Sequence, residues 1–184
     1  EGDTTVDLVS LDLSVDLGFA TLTSSTAYTR SEFERNGPIS GLYQSLDDCC
    51  GLYFGYPRIL ANSFVPEKDD VFTQEFRLVS QGDSSVDWIV GGFYKSQEKQ
   101  GDFIEELFGY DDWLIASGFP EWSVSQGLSM DPAYIDIPFE FLRTIDFEDI
   151  AVFGEVTYHL SDRWQITGGA RFFWQDFSQD QRTR

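Results

Sequence analysis

Cys49 and Cys50 stand side by side between Asp47-Asp48 and Gly51, the residues of this chain best placed for covalent chemistry. Adjacent thiols form a vicinal disulfide or stay reduced, and an oxidising exterior favours the bond. A metal centre is the weaker reading, because zinc takes about four ligands and the only histidine, His159, belongs to a distant segment. A role in holding a loop is therefore expected ahead of redox catalysis. Glu105-Glu106 and Asp111-Asp112 are the pairs from which a carboxylate hydrolase would be built. Neighbouring acids in a polar segment ordinarily supply only charge. No Gly-x-Ser-x-Gly elbow, phosphate-binding Gly-Lys-Ser/Thr loop or metal-binding His pair accompanies them, so neither enzymatic activity nor a cofactor is expected.

The same stretch is rich in aromatics, too rich for a disordered tail. Trp113, Trp122 and Tyr134 are the expected ligand-facing stacking surface, since a loop of that length ordinarily carries function. The competing expectation is that these rings pack on one another to hold the loop in place. Lys and Arg number 12 against 32 Asp and Glu, a formal net charge of -20, which excludes nucleic acid as a partner. Between Glu98 and Asp149, thirteen acidic residues face only Lys99 and Arg143. Such a block is either a solvated surface or a field that draws cations and cationic ligands to a pore mouth.

The elements that must position these groups are three pairs of stretches with alternating apolar and polar residues. They are Thr5–Leu17 with Ala20–Phe33, Val71–Ser80 with Val86–Lys95, and Ile150–Leu160 with Arg163–Phe177. Val9, Leu11, Leu13 and Val15 interleave with Ser10, Asp12 and Ser14; Trp164, Ile166, Ala170, Phe172 and Trp174 interleave with Gln165, Thr167 and Arg171. A period of two sends the sets to opposite faces of a strand. Trp164 and Trp174 share a face, and ten residues at about 3.3 Å each with a tilt near 40° span roughly 25 Å, the height of the apolar band of a membrane barrel. Short turns alternate with long irregular segments, at about 35–70 and 97–148, as periplasmic turns alternate with extracellular loops.

The expected fold is thus all-β: a segment of an antiparallel transmembrane β-barrel with about six long strands, set in outer-membrane lipid. No apolar run suits a spanning helix, and a mean hydropathy of -0.26 is compatible with strands of which every second residue meets lipid. The alternative is a soluble or surface β-sandwich that binds carbohydrate or calcium through its acidic, aromatic loops.

The segment Ile150–Asp176, IAVFGEVTYHLSDRWQITGGARFFWQD, resembles the barrel hairpin of TonB-dependent outer-membrane receptors. FTQEFRLVS at Phe72–Ser80 with DWIVGGFY at Asp87–Tyr94, and ATLTSSTAYTR at Ala20–Arg30, resemble further wall strands of that family. The resemblance implies a bacterial outer-membrane location and energy-coupled uptake of a scarce nutrient, a siderophore, cobalamin or oligosaccharide. It also implies a plug within the barrel and a periplasmic TonB-type coupling protein as partners. Six strands are too few to close a barrel, and neither the family's plug nor its coupling box is recognisable, so residues 1–184 read as part of a larger receptor. Glu75, Arg77, Glu155 and Arg171 fall on the faces opposite the apolar sets and are expected to pair across strands or meet the plug. Gly91-Gly92 and Gly168-Gly169 are expected to serve curvature or close approach within strands.

Overall fold

The computed structural model describes residues 2–50, 56–82, 84–118 and 139–183. They form one antiparallel sheet in chain order: β1 (Gly2–Asp16), β2 (Ala20–Pro38), β3 (Ala61–Ser80), β4 (Val86–Leu107), β5 (Phe139–Ser161) and β6 (Trp164–Thr183). Two short helices interrupt the series, α1 (Ser40–Cys50) after β2 and α2 (Tyr110–Ala116) after β4. The short turns lie where the turn chemistry places them. Gly18, at φ 85°, takes the left-handed conformation that closes β1 onto β2, and its N–H donates to Asp16 Oδ1 at 2.7 Å. At the β5–β6 turn the Arg163 N–H donates to Ser161 Oγ at 3.3 Å.

Residues directly opposed across a ladder share a face, so register shows how the sheet sorts its side chains. One row runs Leu13, Ser24, Phe76, Gly92, Val152, Phe172 through all six strands. On this side Leu11, Leu13, Ile166, Phe172, Trp164 and Trp174 are each more than half exposed. Among the described residues no second layer covers them. A sandwich would have enclosed this face between two sheets, so the β-sandwich alternative fails and the apolar face is left for lipid.

Tyr28, Phe72, Tyr94 and Trp174 mark its upper edge, with the Phe72 and Tyr94 rings 6.2 Å apart. Tyr28 opposes Phe72 in one row, whereas Tyr94 and Trp174 lie in the next row through Ile150. A belt that steps across hydrogen-bonded rows is what strands tilted to the bilayer produce. Nearer the short turns, Trp88, Tyr158 and Trp164 supply the lower belt.

The strands are longer than their alternation indicated. β4 continues past Lys95 to Leu107, and β5, with 23 residues, begins at Phe139 rather than near Ile150. The segments left between these strands are therefore 39–60 and 108–138, shorter than the 35–70 and 97–148 expected. Beyond the aromatic belt both faces of a strand meet water, so the apolar/polar alternation disappears. The ladder persists all the same, with Glu98 opposite Asp146 and Gln100 opposite Thr144.

The assignment of faces predicts an asymmetric response to charge. In the intact receptor Leu13→Arg should cost roughly 2–4 kcal/mol of folding stability near the midplane, and Ser14→Arg at most about half of that. Denaturant titration of refolding into lipid vesicles measures both; equal costs would overturn the assignment.

Candidate functional site

The opposite face carries the polar chemistry of the wall. One of its rows runs Thr23, Arg77, Gly91, Phe153, Arg171. The Arg171 guanidinium lies 5.5 Å from the Phe93 ring centre and 5.9 Å from that of Phe153, and Arg77 lies 6.0 Å from Phe153 on the other side. Each contact of this kind contributes about 0.5–1 kcal/mol where partly exposed. Arg77 Nη2 pairs with Glu75 Oε1 at 2.5 Å along its own strand, and Arg171 Nη2 with Asp149 Oδ2 at 3.9 Å. Glu75, Arg77, Glu155 and Arg171 thus share the lumenal face as expected, but the Arg77 pairing runs along β3 rather than across strands.

Phe153 reaches this position because Gly91 has no side chain. A Cβ there would stand 2.7 Å from Phe153 Cε2 and 2.8 Å from the Phe76 carbonyl oxygen. Close approach, one of the roles expected for the glycine pairs, is what Gly91 serves; Gly169 similarly lets the Glu155 side chain lie over it, 3.4 Å from the built Cβ. Gly168 faces open space.

Higher on the lumenal face, charges balance. Lys99 Nζ lies 3.1 Å from Glu67 Oε2, Gln97 Nε2 donates to both Asp69 carboxylate oxygens at 2.9 Å, and Lys95 Nζ sits 5.3 Å from the Phe147 ring centre. The outward face at the same height is different. Asp70, Glu98, Asp146, Glu148, Asp176 and Asp180 project there, with Arg30, Lys68 and Arg182 as the nearby cations, Arg182 Nη2 lying 3.8 Å from Asp180 Oδ2. Arg30 Nε donates to Asp70 Oδ1 at 2.8 Å, and Tyr28 Oη donates to the same carboxylate. Asp102, on the extension of β4 well above the belt, has its carboxyl pushed up by burial.

The acidic block read from sequence as a loop is therefore largely wall, and much of it points away from the passage. A field focused on cations at the pore mouth does not follow from the described residues; a solvated outer collar does. Glu105 and Glu106 are neighbours on β4 and so project to opposite faces, which rules them out as a catalytic pair. The Tyr43 hydroxyl donates to Glu105.

The extracellular end holds the one cluster of buried apolar residues found among the described residues: Tyr43, Ile59, Ala61 and Leu107, with Ile39, Tyr56 and Tyr110 packed on it. Tyr43 and Leu107 are essentially inaccessible. Trp113 joins this assembly, 5.4 Å from the Tyr56 ring and stacked on Tyr110 at 6.1 Å. Of the two expectations for Trp113, packing within the loop is the one with observed contacts. Trp122 and Tyr134 lie outside the described residues. Cys49 and Cys50 are joined Sγ to Sγ at the end of α1. A bond between neighbours closes no loop, so the stapling role expected for it has no second segment to hold. Sequence reasoning missed Tyr43, Tyr56 and Leu107, whose only signal was apolar character within a segment that lacks periodicity.

A sheet with an apolar outer band between two aromatic belts and ion pairs on its inner face is a membrane β-barrel wall. The chain belongs to the TonB-dependent receptor β-barrel family: the family described as TonB dependent receptor-like, beta-barrel, matches residues 1–184. Its members are transport receptors of the Gram-negative outer membrane, not enzymes. Among solved structures, the ferric yersiniabactin uptake receptor FyuA from Yersinia pestis superposes over 99% of this chain with a TM-score of 0.62 at 15% identity. The chain spans 25% of that receptor's length. The siderophore receptor PiuA from Acinetobacter baumannii aligns over 96% of the chain and 29% of its own, at 12% identity and a TM-score of 0.41. No curated protein sequence matches.

Crowding at Gly91 should be felt through Phe153. In the intact receptor Gly91→Ala should cost about 1–3 kcal/mol, whereas Gly168→Ala should cost under about 1 kcal/mol. Thermal loss of the folded band on unheated gels measures the difference, and equal shifts would remove the close-approach role.

Proposed function

We propose that this chain is part of the barrel wall of a receptor that takes up a scarce nutrient, a siderophore, cobalamin or oligosaccharide, across a Gram-negative outer membrane. In this reading the lumenal face meets a plug domain, and uptake is driven through the plug by a periplasmic TonB-type coupling protein. The observation that carries the reading is the division of the wall: Leu11, Leu13 and Phe172 on one side, and the Arg77, Phe153 and Arg171 row with its carboxylates on the other. Charged groups on the inner side have partners within a wet or protein-filled lumen, the arrangement a transport barrel needs.

The long loops contribute to ligand capture. Support comes from the folded state of the residues around α1 and α2, since a loop without a role has no need of a buried Tyr43 and Leu107. Trp113 offers a ligand its remaining exposed face, and Trp122 and Tyr134 belong to the same proposal. The inner charges, Lys95 and Lys99 against Glu67 and Asp69, set no simple sign on the ligand, in contrast to the acidic collar outside.

Removing residues 108–138 from the intact receptor and bridging β4 to β5 with a short glycine linker should leave the protein inserted while lowering uptake of its ligand by about tenfold or more. Radiolabel accumulation in whole cells measures this; undiminished uptake would end the capture role.

A further inference from the structure

We propose that the described parts of the two extracellular segments, 39–50 with 56–60 and 108–118, form a single cap that folds as one unit, with Tyr56 as the joint between them. The segments are far apart in sequence and follow different hairpins, so each would ordinarily behave as an independent surface loop. Several contacts bind them here. The Tyr56 hydroxyl donates to the Phe108 carbonyl at 2.8 Å, and the Phe108 N–H donates to the Leu60 carbonyl at 3.0 Å. The Tyr56 ring meets Tyr110 edge-on at 5.4 Å and Trp113 at 5.4 Å, placing one side chain of the first segment against α2.

The base of the cap is tied in the same way. The Ile39 N–H donates to the Ala61 carbonyl at 3.0 Å, the Ala61 N–H to Ser40 Oγ at 2.9 Å, and the Tyr43 hydroxyl to Glu105 on β4. Ile59, Ala61 and Leu107 close the space beneath Tyr43. Gly109, at φ 77°, turns the chain from β4 into α2, and a Cβ there would stand 3.1 Å from the Tyr56 hydroxyl. The turn into α2 is thus shaped around a side chain of the other segment. Neither helix reaches the length at which a helix is stable alone in water, so both depend on this shared packing. Whatever engages one segment from outside therefore stabilises the other.

Hydrogen exchange of the full receptor in detergent tests the coupling. In Tyr56→Ala, exchange should quicken about tenfold at the amides of both helices, Tyr43 in α1 and Trp113 in α2, while the belt region of β3 and β4 keeps its protection. Trp113→Ala, made from the other side, should loosen α1 as well as α2. Acceleration confined to the mutated segment, or absent from both, would overturn the proposal. Tyr56→Phe keeps the ring contacts and removes the bond to Phe108, so it reads the same coupling at smaller amplitude should the alanine variants fail to fold; a one-sided response there is equally fatal.

Discussion

Everything in this wall follows from the impossibility of leaving a backbone N–H or C=O unpaired in hydrocarbon. The chain meets that demand with ladders between neighbours, from Gly2 opposite Arg35 in β1–β2 to Phe141 opposite Thr183 in β5–β6. Once the backbone is committed to ladders, side chains have only two directions. Lipid takes one set, Leu11, Leu13, Ile166 and Phe172 among them, and the lumen takes Arg77, Phe153, Arg171 and their carboxylates. The lumenal guanidiniums are held by rings of nearby strands and by acids, Glu75 on Arg77's own strand and Asp149 on the strand beside Arg171, so the inner surface is ordered by the same register that hides the backbone.

Above the aromatic belt the constraint changes. Water reaches both faces, so the outward side no longer has to be apolar and fills with Asp70, Glu98, Asp146 and Asp176, while the inner side balances Lys99 against Glu67. The chain's large negative charge is in good part the outer coat of this collar. Net charge alone could not distinguish an acidic mouth from an acidic exterior, and the two have opposite consequences for a ligand.

Apolar burial, which organises most soluble domains, forms a cluster among the described residues only in the cap, while the wall buries just the small Ala20 and Ala151 singly. Tyr43, Leu107 and Tyr56 draw two sequence-distant segments together where no bilayer is available to receive apolar side chains. The wall is stabilised by its solvent, and the cap by its own small core. That difference makes the cap the place where this barrel segment behaves like a globular protein.

The six strands, their order, the three short turns and the two faces were legible in the sequence, because alternation against lipid is a local, residue-by-residue pattern. Leu11 next to Ser10, or Phe172 next to Arg171, declares its face without knowledge of any neighbour. The ends of the strands were not legible: Glu98 to Leu107 carries no alternation, and only the ladder to β5 shows it to be wall. Nor were the outward direction of the acids, the Phe153 ring over Gly91, or the partnership of Tyr56 with Trp113, since each depends on which strand or loop lies alongside. Composition and period settle what must avoid water; which side chains meet is decided by register and by contacts between distant segments, and those exist only in the folded chain.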